Sequence, residues 1–171
     1  MQIEYEIRDT YIGKGIFALS DISKGKYIWK YNSKNKNNIQ LNKIYNVIEY
    51  NESSCKTHLS KLSFKEAQNF LDITYGRGEL LCQIIDDGKY MNHSESPNCK
   101  TNMINGNVYA ITNIKYGEQL FEDYSTFDHP TYLLPLLQKY KCLPNYYDAF
   151  FIEDLQEELQ EVVTQNLQEN L

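Results

Sequence analysis

Alternation of apolar and polar side chains marks the start of the chain. Residues 3–11 alternate in this way, which is the two-residue period of a strand with one buried face. Residues 17–19 and 27–31 are short apolar and aromatic runs, and the turn between them contains Gly25, a residue that accepts a positive φ. These patterns predict that the first thirty residues form a small antiparallel sheet.

Further apolar runs predict strands in the middle of the chain. They lie at residues 79–85 and 108–114, and Asn105-Gly106 before the second run is a strong hairpin-turn signal. The Asn- and Lys-rich segment 32–38 predicts an exposed loop instead. The chain ahead of its tail is therefore predicted to be mainly β.

Two segments carry helix signals. Ser63 with Glu66 three residues later is a capping-box pattern in front of a short helix. In the tail, apolar residues recur every three to five positions on a Gln- and Glu-rich surface, which predicts a C-terminal amphipathic helix over roughly residues 148–169. That helix is expected either to pack one stripe on the domain or to form a homodimer or partner interface.

Composition restricts the class of protein. A chain of 171 residues, 42% of them hydrophobic, is long enough for one domain with a buried core. Its 17 basic and 23 acidic side chains leave a net charge of −6, which opposes direct binding to nucleic acid and favours basic peptides or protein tails as partners. The chain has no run of about 18 apolar residues and no leader-like start, so we expect an intracellular protein that does not enter a membrane.

The cysteine positions do not predict a cross-link or a metal site. Cys55, Cys82, Cys99 and Cys142 include no C-x-x-C pair, so their spacing indicates neither a disulfide framework nor a zinc cluster. His58 lies three residues after Cys55, but two ligands do not complete a tetrahedral site. We expect reduced thiols and no bound metal.

Two polar features stand out as candidate binding residues. Gly13 and Gly15 flank Lys14 on a predicted turn, where a main chain without Cβ atoms can approach a ligand. Asn92 and His93 lie beside a segment rich in turn formers. Each feature also has an ordinary explanation, since glycine pairs are common in hairpins and Asn and His side chains often cap loops.

The order of three sequence strings suggests a family. Residues 13–18 read GKGIFA, residues 92–98 follow the pattern N-H-S-x-x-P-N, and residues 117–124 follow G-E-x-L-x-x-D-Y. Together they resemble the SET-domain protein-lysine methyltransferases, with a similarity that covers about residues 7–128. The resemblance implies a SET-domain (β-clip-like) fold with a C-terminal pseudoknot, a catalytic domain over residues 1–130, and a helical extension over 131–171 that covers the active site or mediates dimerisation.

The resemblance implies S-adenosylmethionine as the cofactor. By position, Lys14, Gly15 and Ile16 match the family residues that contact its methionine part. Asn92 matches the residue that reaches its amino-acid end, and His93 matches the residue whose backbone holds the adenine edge.

The resemblance also implies a narrow lysine channel. Tyr124 matches the catalytic tyrosine whose hydroxyl lies near the transferring methyl group and the cofactor, although as one of 15 tyrosines it would otherwise be assigned to packing. Tyr75 matches, more loosely, a second catalytic tyrosine of the channel. Phe121 and Phe127 are expected to add substrate-binding aromatic walls, because an apolar channel disfavours the ammonium form of lysine.

Two positions depart from the family pattern. Glu122 stands where better-known members carry Phe or Tyr, at a substrate-binding position that influences how many methyl groups are added. If residues 120–124 are extended, Glu122 and Tyr124 share a face, and the carboxylate either points to the channel mouth and recruits the cationic lysine or has a raised pKa. The C-x-C-x4-C zinc motif of many members is reduced to Cys142, so residues 133–151 are expected to cover the cofactor instead.

The expected function is methyl transfer from S-adenosylmethionine to a lysine of a basic protein. A histone tail is the expected substrate class, which would place the protein in a nucleus or a host nucleus. One alternative is a catalytically weak SET-like module that binds a protein partner, in which Glu122 marks the loss of turnover. Another is a β-rich structural protein in which the three strings occur by chance.

Overall fold

The computed structural model describes residues 1–34 and 45–142. Strands dominate within these ranges and form four small sheets. In chain order the strands are β1 (Tyr5–Thr10), β2 (Gly13–Ala18), β3 (Tyr27–Trp29), β4 (Ser33–Lys34), β5 (Val47–Tyr50), β6 (Thr74–Arg77), β7 (Leu80–Ile84), β8 (Asn92–His93), β9 (Cys99–Thr101), β10 (Val108–Ala110) and β11 (Phe121–Glu122). The helices of the same ranges are α1 (Glu52–Leu59), α2 (Phe64–Asp72) and α3 (Leu133–Lys139). The prediction of a mainly β fold with short helices is confirmed.

The N-terminal hairpin carries the glycine pair. β1 and β2 pair antiparallel, and their register closes at Thr10 opposite Gly13. Gly13 has a φ of +110°, which glycine adopts at little cost. Gly15 instead lies within β2, opposite Arg8. The strand predicted at residues 3–11 is confirmed with narrower bounds.

β3 does not join this hairpin. It pairs with β10, which in turn pairs with β9, so the prediction of one sheet from the first thirty residues is wrong. Ile28 and Trp29 of β3 are buried, and the partner of Trp29 is Val108, far along the chain. Alternation reveals that a strand has a buried face, but it does not reveal which strand lies beside it.

The four-stranded sheet has the order β4-β5-β7-β6. β4 runs parallel to β5, while the other neighbours are antiparallel. β7 confirms the strand predicted at residues 79–85. β4 corrects the start of the predicted loop, because two polar residues suffice for a short strand at a sheet edge. The rest of that loop, from residue 35, lies outside the described residues.

The hairpin of β9 and β10 is partly as predicted. The turn at Asn105-Gly106 lies between the two strands, with Gly106 at a φ of +73°. β10 ends at Ala110, earlier than the predicted strand over 108–114. Ile114 forms an isolated bridge with Ile22 instead, and both side chains are buried.

Capping explains where the first two helices begin. At α2, the Glu66 N–H donates to Ser63 Oγ at 3.3 Å and the Ser63 N–H donates to the Glu66 carboxylate at 2.8 Å, which confirms the predicted capping box. Helix α1 was not among the predicted helices, although Asn51 and Ser54 cap it in the same reciprocal way. Asn51 followed by acidic Glu52 was the signal that could have found it.

Two buried clusters hold these elements together. The first lies among the sheets and includes Ile16 and Trp29. The second joins the three helices to β7 and includes Phe70, Leu81 and Leu137.

The helix predicted at 148–169, and any dimer interface on it, lies outside the described residues. Among the described helices, none has both the length and the apolar character needed to cross a membrane.

Candidate active site

Two distant motif segments meet in a short parallel pair. β8 lies beside β11, with Asn92 opposite Phe121 and His93 opposite Glu122. The Ser94 N–H extends the pairing by donating to the Glu122 carbonyl oxygen at 2.9 Å. Because Tyr124 follows β11 by two residues, this pairing brings the predicted catalytic tyrosine beside the Asn-His pair.

Asn98 locks this arrangement. Its Nδ2 donates to the carbonyl oxygen of Gln119 at 2.8 Å, and its Oδ1 accepts from the N–H of Phe121 at 2.9 Å. Its backbone N–H also donates to the Phe121 carbonyl oxygen at 3.2 Å. One amide side chain thus pairs backbone groups that would otherwise be left without partners in a half-buried place.

Asn92 connects the same junction to the N-terminal hairpin. Its Nδ2 donates to the carbonyl oxygen of Lys14 at 3.0 Å. Gly15, the next residue, packs closely against Gln119, because an added Cβ would lie 2.4 Å from the Nε2 atom at the end of that side chain. The sequence strings that contain Lys14 and Asn92 are therefore adjacent in space.

Ile16 contributes to this region mainly through the core. Its side chain is 0% exposed, and its carbonyl oxygen accepts from the Leu120 N–H at 2.9 Å. Ile16 therefore holds the hairpin against the segment before β11 through its buried side chain and its carbonyl oxygen.

A cavity of about 240 Å³ lies beside the junction. The predicted site residues that line it are Tyr75, Asn92, Glu122, Tyr124 and Phe127. Those outside its lining are Lys14, Gly15, Ile16, His93 and Phe121. Among these predicted residues, Asn92 lines the cavity and also contacts the glycine hairpin.

Phe121 does not form a wall of the cavity, contrary to the prediction. Successive side chains of a strand point to opposite faces, and Glu122 takes the cavity side of β11. Phe121 accordingly points away from the cavity.

Aromatic rings form one wall. Tyr124 stacks on Phe127 with ring centroids 5.4 Å apart and planes at 25°, and Phe127 lies 5.0 Å from Tyr75. On its other side, Tyr124 contacts the ring of His93 at 5.4 Å. The four rings form a continuous row, and its three members inside the cavity give that wall an apolar surface.

Tyr124 is held at both its backbone and its hydroxyl. It begins a 3-10 turn that Asp123 caps by accepting the Ser125 N–H at 3.0 Å. The Tyr124 N–H donates to Nδ1 of His93 at 3.1 Å, so a neutral His93 carries its proton on Nε2. The Tyr124 O–H donates to the carbonyl oxygen of Met91. With its proton engaged there, the phenol oxygen can act as an acceptor towards the cavity.

Tyr75 has a less satisfied hydroxyl. Its oxygen is buried and has no hydrogen-bond partner among the described residues. Burial is the main reason that its pKa is raised, and the nearby Cys82 and Glu122 raise it further. Tyr75 therefore stays protonated at neutral pH and can serve as a donor.

Glu122 is a buried carboxyl group on the cavity wall. Its residue is 6% exposed, and its Oε1 accepts from Thr101 Oγ1 at 2.6 Å. Burial raises its pKa to about 7, although hydrogen bonds from Thr101 oppose that rise. Of the two predicted alternatives, the structure agrees with the raised pKa and not with a position at an exposed channel mouth.

Several residues of this site carry no signal in the sequence. Thr101 and Met91 touch Glu122 and Tyr124, respectively, and no local pattern marks a threonine or a backbone carbonyl for such a contact. Leu133 and Leu137 of α3 also line the cavity. Part of the segment predicted to cover the site does contribute a wall, and the portion from residue 143 lies outside the described residues.

The described ranges contain no group of three His, Cys, Asp or Glu side chains that could hold a metal ion. Cys55 is buried in the core around the helices. The ring of His58 packs against Tyr50 and Phe70 at 5.1 and 4.7 Å. Packing is therefore the role that the structure gives to this Cys-His pair.

Comparison with known proteins agrees with this geometry. The family model of the SET domain matches residues 13–125, a range that contains both paired segments and the glycine hairpin. The chain belongs to the SET-domain family. Members of this family are generally protein-lysine methyltransferases.

Among solved structures, the SET-domain chain is similar to a crystal structure of a Plasmodium falciparum "putative histone methyltransferase". The identity is 20%, the TM-score is 0.46, and the match covers 72% of this chain and 95% of the other. The search of curated proteins finds no match.

Proposed function

We propose that this SET-domain protein transfers a methyl group from S-adenosylmethionine to the Nε atom of a lysine in a basic protein, such as a histone tail. The observation that carries the proposal is the position of Tyr124, whose fixed phenol faces a cavity that Asn92 links to Lys14. A narrow site at this junction can bring two reactants end to end.

The residues at the junction fit the proposed cofactor. Asn92, the backbone around Lys14, and His93 would hold it with polar groups on the hairpin side of the cavity. The cavity is smaller than the roughly 300–1,000 Å³ of pockets that enclose a whole drug-sized ligand, so it suits the reacting ends better than an entire nucleoside cofactor. When bound, S-adenosylmethionine supplies an activated methyl group on a sulfonium.

The protein's own task is to align and deprotonate the amine. A lysine with a pKa of about 10.4 must give up its proton at a cost of roughly 4–5 kcal/mol at pH 7. The aromatic rings of Tyr75 and Phe127 desolvate the ammonium and so reduce that cost. The Tyr124 O–H donates to the carbonyl oxygen of Met91, so the phenol oxygen can accept a contact from the cationic partner and fix its direction.

Charge supports a basic substrate. The chain carries a net charge of −6, and Asp72 and Glu122 both line the cavity. An acidic enzyme attracts a lysine-rich tail and repels a nucleic-acid backbone.

The proposal is tested by incubating the full chain with methyl-labelled S-adenosylmethionine and core histones, with an acidic protein as the control substrate. We expect label on the histones and its recovery as methyllysine after hydrolysis. In the same preparation, cofactor at 100 times its Kd should stabilise the protein by about 2.7 kcal/mol. Stabilisation without transfer would favour the catalytically weak binding module. If the protein shows no transfer and no stabilisation, the proposed function is overturned.

A further inference from the structure

The cavity contains one acidic side chain in an unusual environment. Glu122 and Thr101 are the buried polar side chains of the described residues, and Glu122 is the member of the pair that ionises. The lining of the same cavity includes the apolar and aromatic side chains of Trp29, Val108 and Tyr75. A carboxylate in such a place is costly unless it meets a positive charge or takes up a proton.

The hydrogen bonds to Glu122 come from one side. Thr101 Oγ1 donates to Oε1 at 2.6 Å, and the Thr101 backbone also donates to the carboxyl group. Thr101 belongs to β9, which packs beside β11. This leaves capacity on the carboxyl group for an incoming N–H donor, since a carboxylate accepts about four hydrogen bonds.

We propose that Glu122 accepts the proton of the substrate ammonium, so that the amine enters the reaction neutral. This inference rests on the proposed function for its substrate class. It deepens that function by assigning the deprotonation step to a named side chain.

The proton balance is complete within the site. The ammonium passes one proton to Glu122, which converts a buried ion pair into a neutral amine and a neutral carboxylic acid. The freed lone pair on the lysine nitrogen then forms the N–C bond as the donor's C–S bond breaks and its electrons go to sulfur. The product is a methylammonium, and Glu122 releases its proton to solvent when the product leaves.

Burial favours this transfer from both sides. In water a lysine with a pKa of about 10.4 would not protonate a glutamate with a pKa of about 4.3. The site raises the pKa of Glu122 to about 7, and the same apolar wall lowers the pKa of the amine. Neutralising both charges together avoids leaving two ions in a poorly solvated place.

Other titratable groups near Glu122 are poorer acceptors. The pKa values of Tyr75 and Cys99 are raised by burial and by the Glu122 charge, so both hold their own protons. The Tyr124 O–H is engaged with Met91. Burial lowers the pKa of His129, which makes its imidazole a weaker base than usual.

Three further charged or titratable groups complete the surroundings. Asp72 and Lys89 line the cavity but are exposed, so solvent screens them. The ring of His93, opposite Glu122 in the strand pair, accepts the Tyr124 N–H.

The first test locates the proton without any methyl transfer. Cofactor-free full-length protein at pH 8 is mixed with n-butylamine, and infrared difference spectra are recorded for the wild type and for Glu122→Gln. We expect the wild type to gain the C=O band of a protonated carboxylic acid and the variant to lack it. A wild-type spectrum without that band, or the same band in the variant, would overturn the inference.

The second test uses the pH profile of transfer. Wild-type kcat/KM should rise with pH to a plateau above about pH 7, whereas Glu122→Gln should keep rising about tenfold per pH unit towards the lysine pKa. The variant should therefore lose about 100-fold at pH 8 and recover most of that loss near pH 10. His129→Gln, the matched control, should retain the plateau.

A further variant keeps the carboxyl group and changes its strength. Thr101→Val removes a hydrogen bond that lowers the Glu122 pKa. The rise of kcat/KM with pH should therefore move to higher pH in this variant. If the wild type transfers methyl groups but Glu122→Gln has the same pH profile, the inference fails while the proposed function stands. If neither the wild type nor any variant transfers methyl groups, the proposed function fails. The infrared result then still decides whether Glu122 takes the proton.

Discussion

The buried carboxyl group of Glu122 should make stability depend on pH in an unusual direction. A carboxyl group whose pKa is raised on folding binds its proton more tightly in the folded state than in the unfolded state. Its contribution is therefore fully present below the unfolded pKa and is lost as pH rises through the folded pKa. Most paired carboxylates behave in the opposite way and lose stability towards acid.

The magnitude follows from the two pKa values. The ordinary value for glutamate is 4.5 and the folded value is about 7, and each pH unit between them is equivalent to roughly 1.4 kcal/mol. The free energy of unfolding should therefore fall by about 3 kcal/mol from pH 4.5 to pH 7 and then level off. Glu122→Gln should not show this slope, because the amide cannot titrate, yet its oxygen can still accept the Thr101 hydroxyl.

Urea denaturation of both proteins at half-unit steps from pH 4.5 to pH 8 measures this difference. Other titrating groups, such as the exposed carboxyl groups of Asp21 and Glu66, contribute equally to both proteins and cancel in the comparison. If the free energy of unfolding depends on pH in the same way for the wild type and the variant, Glu122 titrates alike in the folded and unfolded states, and its pKa is not raised by folding.

Three substitutions test the supports around the site by denaturation. Asn98→Ala removes the two side-chain hydrogen bonds to the segment before and within β11 and should lower the free energy of unfolding by about 2–3 kcal/mol. Hydrogen exchange of the Phe121 amide should become faster, and unchanged exchange would show that these bonds do not hold β11. Gly76→Ala places a Cβ 1.8 Å from the Asp128 carbonyl oxygen and should cost about 1–3 kcal/mol or more by overpacking, so an unchanged unfolding midpoint would disprove this contact. Ser63→Ala removes a cap of α2 and should cost about 1 kcal/mol without changing cofactor binding, and a variant as stable as the wild type would show that the cap contributes nothing.

Local signals predicted the elements whose causes are local. The capping box at Ser63 and the turn at Asn105-Gly106 each depend on residues within a few positions of each other, and the structure has both. The pairing of β3 with β10 depends on a partner far along the chain, so alternation could show the strand but not its neighbour. Strand β4 was missed for a related reason, since a two-residue edge strand needs no hydrophobic pattern.

The candidate site divides in the same way. The three strings predicted that Lys14, Asn92 and Tyr124 come together, and contacts on both sides of Asn92 join them. The contact of Thr101 with Glu122 could not be predicted, because it joins β9 to β11 through side chains with no sequence signature. The sequence therefore could not decide whether Glu122 lies at the channel mouth or in the buried wall of the cavity.

In the proposed reaction, the phenol of Tyr124, which faces the cavity beside Asn92, directs methyl transfer. The decisive measurement is single-turnover transfer from labelled S-adenosylmethionine to a lysine substrate by Tyr124→Phe. Tyr116→Phe is the control, because Tyr116 is 65% exposed. We expect Tyr124→Phe to bind the cofactor with wild-type affinity but to lose at least about 100-fold in transfer rate, while Tyr116→Phe transfers at the wild-type rate. Transfer by Tyr124→Phe at the wild-type rate would show that the phenol does not direct the reaction.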